Sequence, residues 1–200
     1  MWGQSKTQLQ GRKFPGYVGW VPKRALGERA AATHQIVSLS APVFSQDNIK
    51  SPVKICLPLG AAFSALQRQS SDDFIEIDEG FLHAAHVKSL GEKSKETDWV
   101  TIAEGLMGRP YIWGGVSSFG LDCSGLVQTA LRTIGKDAPR DSDQQMSLGQ
   151  EVTDGALRRG DLVFWKGHVG IMQSETQLIH ANAYHMMVAS EALDVAKSRI

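Results

Sequence analysis

Between Leu126 and Gly135 the apolar residues Leu126, Val127, Ala130, Leu131 and Ile134 recur at helical spacing, and Gly135 is placed to end the helix they predict. A second helix is predicted from Thr97 or Asp98, as cap, to about Met107, on the spacing of Val100, Ala103, Glu104 and Met107. Further on, the period shortens. The stretches from Gly160 to Met172 and from Leu178 to Asn182 predict three strands, with Lys166-Gly167 as a tight turn and Gln173 to Gln177 as a polar loop. Upstream, residues 35–39, 41–44, 53–57, 61–66, 74–77 and 80–83 are short β segments bounded by Pro, Gly, Ser or Asp, which predicts a small barrel or sandwich. The charged stretch Gly91-Glu92-Lys93-Ser94-Lys95-Glu96 reads as the linker between the two patterns.

The chemistry-bearing residues sit in the second pattern. Cys123 opens the helix, directly after Tyr111-Ile112-Trp113-Gly114-Gly115 and Leu121-Asp122. A thiol at a helix N-terminus meets the positive end of the macrodipole, which favours the nucleophilic thiolate. Such a nucleophile needs a base and a group that orients the base. His168 and His180 fall on adjacent predicted strands, and a loop symmetric about Ser174 sets them directly opposite, with Cβ atoms about 4.5–5.5 Å apart. Cys123 as nucleophile, His168 as base and His180 as orienting group then form one set. His83-Ala84-Ala85-His86 has the spacing of a metal pair but no thiolate or carboxylate cluster beside it, so a surface hairpin is expected there and no metal or cofactor is assigned. There is no phosphate-binding or dinucleotide fingerprint.

These motifs resemble those of the NlpC/P60 cysteine peptidases, bacterial hydrolases of cell-wall peptides. The resemblance spans residues 97–189 and rests on Arg109-Pro110-Tyr111-Ile112-Trp113-Gly114-Gly115, Asp122-Cys123-Ser124-Gly125, Gly160-Asp161-Leu162-Val163-Phe164-Trp165, His168-Val169-Gly170-Ile171 and Ile179-His180-Ala181. It implies an α+β, papain-like catalytic domain over residues 97–200, in which the Cys helix packs on an antiparallel sheet that carries both histidines. It also implies that the Tyr111 hydroxyl and the Cys123 backbone N–H stabilise the oxyanion. Residues 33–90 resemble a bacterial SH3-like domain, and Gly16-Tyr17-Val18-Gly19-Trp20-Val21-Pro22 resembles the closing hairpin of another, so that 1–28 reads as a partial module of a gene product that begins further upstream.

The same resemblance gives a substrate class, the γ-D-glutamyl-diamino acid bond of stem peptides with a free N-terminal L-Ala. Asp122, Ser124 and Ser142 are then expected to line the amine and D-glutamyl site, with Tyr17 reaching over the cleft to the same amine. Arg140 is expected to pair with a substrate carboxylate or with Asp143. For Asp122 a plain N-cap remains an equal alternative. A related Cys/His amidase or acyltransferase, or a non-catalytic wall-binding protein, are the competing readings.

Composition narrows the partners. The 200 residues are 42% hydrophobic, enough for packed cores, and the formal net charge is +0 with no basic patch, which disfavours nucleic acid as a partner. No apolar run is long enough for a membrane span, and the start Met1-Trp2-Gly3-Gln4-Ser5-Lys6 lacks the apolar core of a signal peptide. Two distant cysteines do not make a disulfide framework, and Cys56 reads as an inert core thiol. Together these point to a cytoplasmic setting.

Overall fold

The structure, a computed structural model, describes residues 2–9, 16–23, 26, 31–66, 73–92, 98–153 and 155–200; most of the expected linker, 93–96, lies outside the described residues. The chain divides into two compact units, one within residues 1–28, 98–116 and 120–200, the other within residues 29–97 and 117–119.

The second unit is built from short antiparallel strands. β3 (His34–Ile36) is flanked by β6 (Ala62–Phe63) and β9 (Val87–Ser89). β4 (Ser40–Phe44), β5 (Val53–Pro58), β7 (Phe74–Ile77) and β8 (Gly80–His83) form a second sheet in the order β5-β4-β8-β7. Its core is Ile36, Ala41, Val43, Ile77 and Leu82. Strand positions agree with the short-segment pattern, but two differ in kind. Cys56 is exposed on β5, a strand whose first four residues all face solvent, so it is not a core thiol. The His83-Ala84-Ala85-His86 stretch closes as a single 3-10 turn over Ala84–His86, with His83 Nδ1 accepting from the Ala85 N–H at 3.2 Å.

In the first unit β1 (Trp2–Leu9) pairs antiparallel with β2 (Gly16–Trp20). α1 (Trp99–Gly105) starts at the Asp98 side chain, which accepts from the Val100 N–H at 3.0 Å. A pair of two-residue strands, β10 (Val116–Ser117) and β11 (Gly120–Leu121), precedes α2 (Cys123–Thr133). α2 ends as the sequence predicts. Gly135 takes φ +80°, and the N–H groups of Gly135 and Lys136 return to the carbonyls of Arg132 and Leu131 at 3.0 and 2.9 Å, a Schellman closure. After the single turn α3 (Ser142–Gln145) comes a four-stranded antiparallel sheet, β12 (Leu162–Trp165), β13 (His168–Met172), β14 (Gln177–Asn182) and β15 (Met187–Ala192), followed by α4 (Leu193–Arg199). α2 packs on β13 and β14. Leu126, Val127 and Ala130 of the helix and Val169, Ile171, Ile179 and Ala181 of the strands are all fully buried. Each of the Leu, Val and Ile side chains contributes about 1.5–3 kcal/mol by leaving water, and the alanines less, which is what fixes helix against sheet. The result is an α+β unit of antiparallel strands with few helices.

Candidate active site

α2 begins on Cys123 because Asp122 caps it. The Asp122 carboxylate accepts from the Gly125 N–H at 2.7 Å and from the Gly114 N–H at 2.9 Å, tying the glycine turn to the helix start. The turn can approach so closely because Gly125 has no side chain: a Cβ there would stand 2.1 Å from the Gly115 carbonyl oxygen. Asp122 is buried and its charge is met in full. Arg140 donates to both of its oxygens, at 3.0 and 2.6 Å, and also to Ser124 Oγ at 2.8 Å, while the Ser124 hydroxyl bonds Asp122 at 3.3 Å. Arg140 was expected to pair with Asp143 or with substrate; its guanidinium is instead committed to the carboxylate beside the cysteine.

The Cys123 thiol departs from the expectation of a ready thiolate. Burial pushes its pKa up, and the Asp122 charge adds to this, while the N–H groups of Val169, Ser124 and Cys123 itself pull the other way without prevailing. The helix terminus is present, but desolvation outweighs it. Of the opposing groups, the Val169 N–H belongs to β13, the strand that also carries His168.

The two histidines meet, though not as directly opposed residues. β13 and β14 pair Ile171 with Ile179 and Met172 with Leu178, a register centred on Glu175 and not on Ser174. His168 and His180 are therefore diagonal neighbours on one face of the sheet. Diagonal neighbours lie about 7–8 Å apart, their Cβ atoms somewhat less, within reach of two imidazoles, and His168 Nε2 stands 2.8 Å from His180 Nδ1. His168 is half-buried and its pKa is drawn down to about 4, first by burial, then by His180 and Arg199, with Glu191 opposing. His180 is fully buried and its pKa is lowered by burial against the pull of Glu191. At neutral pH the thiol and both imidazoles are thus uncharged.

Two residues of this network escaped the sequence reading. Glu191 Oε1 lies 2.7 Å from His180 Nε2, and Arg199 pairs with Glu191, donating to Oε2 at 2.9 Å and also to Oε1. The Arg199 guanidinium sits over the Tyr184 ring, 4.1 Å from its centroid. Among the described residues His180, His185 and Glu191 bring ligand-type atoms within 4.8 Å of one another. A cation entering there would have to displace Arg199 and part His180 from Glu191, so the set reads as a hydrogen-bond relay.

A cleft of about 700 Å³ opens in front of the cysteine. Cys123, Tyr111, Asp122, Ser124, Arg140, Ser142 and Tyr17, all predicted from sequence, line it, together with Asp141, Asp143, Lys166 and the exposed Trp113. Tyr111 is held protonated: burial raises its pKa, and the negative charge of Asp122, like that of Cys123 once it is a thiolate, raises it further. The Tyr17 hydroxyl donates to Asp141 Oδ2. No helix of the described residues is long and apolar enough to cross a membrane.

Comparison with known proteins agrees with this architecture. Residues 108–197 match the NlpC/P60 family. The chain is 28% identical over 188 residues to the gamma-D-glutamyl-L-lysine dipeptidyl-peptidase of Bacillus subtilis (strain 168), covering 85% of this chain and 62% of that protein, so it spans less than two thirds of that relative. It is 34% identical over 113 residues to the probable endopeptidase NlpC of Escherichia coli (strain K12), covering 49% of this chain and 73% of that one. An NlpC/P60 family protein from Bacillus cereus ATCC 10987 has the same fold, with a TM-score of 0.77 over 94% of this chain and 69% of that chain at 23% identity. Sequence agreement reaches over most of the E. coli relative and fold agreement over nearly the whole chain: the protein belongs to the NlpC/P60 family.

Proposed function

We propose that the protein is a cysteine peptidase of peptidoglycan stem peptides, cleaving the γ-D-glutamyl-diamino acid bond of peptides with a free N-terminal L-Ala. The observation that carries the chemistry is the 2.8 Å contact between His168 and His180, with Val169 bonded to the Cys123 sulfur at the head of the same strand. In the first step the Cys123 thiol gives its proton to neutral His168, and the sulfur attacks the γ-carbonyl carbon. The oxyanion is held by the Cys123 N–H and the Tyr111 hydroxyl, which stays protonated and so remains a donor. The His168 proton then passes to the leaving amine of the diamino acid, leaving a thioester on Cys123. Water, deprotonated by His168, releases the D-glutamyl acid and restores the thiol.

The amine site follows from charge. Asp122 already meets Arg140, Ser124 and two backbone N–H groups, so it has no charge to spare for a substrate ammonium. Asp141, on the same cleft and bonded to Tyr17, is the carboxylate this reading assigns to the L-Ala amine, with Ser142 beside it. The name of the B. subtilis relative, a gamma-D-glutamyl-L-lysine dipeptidyl-peptidase, supports the substrate class. A free-amine requirement excludes intact wall, whose L-Ala is amide-linked, and suits recycling of released peptides in the cytoplasm, with residues 33–90 as an SH3-like module.

The test compares free and N-acetylated L-Ala-γ-D-Glu-diamino acid peptides with the unmodified protein and with Cys123→Ala. Acetylation removes the ammonium that this reading pairs with Asp141, lowering kcat/KM by about two orders of magnitude at ~1.4 kcal/mol per factor of ten. Cys123→Ala abolishes turnover with the fold intact. Equal cleavage of both peptides, or digestion of intact sacculi, sinks the substrate assignment; residual hydrolysis by folded Cys123→Ala sinks the mechanism.

A further inference from the structure

The Cys–His–His set leaves a question of polarity: which nitrogen of His168 is basic. Glu191 answers it. Its carboxyl is held below the usual carboxylate range, first by the Arg199 hydrogen bonds, so it is ionised at neutral pH and can only accept. The proton in the 2.7 Å contact with His180 Nε2 therefore belongs to His180. A neutral imidazole carries one N–H, so His180 Nδ1 is a lone pair and accepts from His168 Nε2–H across 2.8 Å. That leaves the lone pair of His168 on Nδ1. The register makes this possible. β14 and β15 pair Leu178 with Glu191 and His180 with Ala189, so Glu191 is the diagonal neighbour of His180, just as His180 is of His168. Three strands thus hand one hydrogen-bond direction across the sheet.

We propose that Glu191, clamped by Arg199, is a positioning residue that fixes the direction of the His180–His168 chain and so keeps the Nδ1 lone pair of His168 for Cys123. The inference rests on the reading of Cys123 and His168 as nucleophile and base. Arg199 has the second half of the task. A lone buried carboxylate behind His180 would stabilise imidazolium and take His168 out of use as a base; the guanidinium, bonded to both Glu191 oxygens and seated on Tyr184, cancels that charge. His185, from the turn between β14 and β15, is a further titratable group that faces His180.

The two members of the clamp therefore act on His168 with opposite sign, which no merely structural role predicts. The acid limb of kcat/KM reports protonation of the free enzyme. In Arg199→Met the uncompensated Glu191 moves that limb to higher pH; in Glu191→Gln the uncompensated Arg199 moves it to lower pH; the double variant returns it toward the unmodified position. In Glu191→Ala the tautomer is no longer fixed, and kcat falls by about tenfold or more with KM nearly unchanged, because a group that fixes the tautomer of a reacting imidazole acts on the chemical step. Imidazole 15N spectra of the unmodified protein read the tautomer directly and need no substrate. The expected state is Nε2–H on both His168 and His180. An Nδ1–H tautomer of His168, or acid limbs that stay fixed or move the same way in the two single variants, overturns the proposal. Where Glu191 variants do not fold, Arg199→Met alone decides, by whether its limb rises. Activity surviving in Cys123→Ala would remove the peptidase reading and leave the tautomer result standing.

Discussion

Replacing Arg140 by Met tests whether the ion pair beside the nucleophile holds the site together. Arg140 and Asp122 are 2.6 Å apart at their closest, with side chains only 9% and 12% exposed. Met keeps much of the stem volume and removes the charge. Asp122 then stays buried, still capped by the N–H groups of Gly114 and Gly125 but without a counter-charge. Breaking one side of a buried pair costs about 3–5 kcal/mol; the two surviving backbone bonds put this case near the lower end, about 3 kcal/mol. Against a total stability of about 5–15 kcal/mol that is a large fraction, and for a unit of this size it lowers Tm by roughly 9–18 °C. All five tryptophans, Trp2, Trp20, Trp99, Trp113 and Trp165, belong to the unit that carries the site, so tryptophan fluorescence during urea unfolding follows that unit. Activity falls as well, because an uncompensated Asp122 pushes the Cys123 thiol further up. Asp122→Asn alone strands Arg140 instead, and the double variant Arg140→Met with Asp122→Asn recovers part of either loss. An Arg140→Met protein within about 1 kcal/mol of the unmodified one, with no coupling in the double-variant cycle, would refute the argument and return Arg140 to the role of a free substrate-binding cation.

Three further outcomes are expected. His180→Asn retains more activity than His180→Ala, since an amide oxygen still accepts from His168; equal rates for the two variants count against an orienting role. Because the pKa of His168 in the folded state lies near 4 against an ordinary 6.5, the unfolded chain binds the extra proton first. Stability is therefore lost as pH falls from about 6.5 to about 4, by up to roughly 3 kcal/mol from this residue, and His168→Gln should flatten that slope in urea unfolding; an unchanged slope shows that His168 does not cause it. Gly125→Ala should lose about 2–3 kcal/mol, because its Cβ meets the Gly115 carbonyl oxygen at 2.1 Å; a Tm equal to that of the unmodified protein refutes the close approach.

What the sequence by itself determined is what a few neighbouring residues decide. The apolar spacing and Gly135 define α2 and its closure, Lys166-Gly167 makes the β12–β13 turn with Gly167 at φ +77°, and the order of the cysteine and histidine motifs carries the family. These are local: a helix stop or a two-residue turn is written in the residues that form it. The site's electrostatics were decided elsewhere. Arg140 finds Asp122 across 18 positions of sequence, and Glu191 finds His180 through a strand register that no single strand encodes. A loop centred on Glu175 in place of Ser174 turned an opposed histidine pair into a diagonal one, yet kept both rings on one face, because side chains alternate with period two along a strand. Burial likewise comes from packing: it left Cys56 exposed on an apolar-looking strand and raised the Cys123 thiol despite its helix terminus, since desolvation depends on everything that surrounds a group and not on its neighbours in the chain.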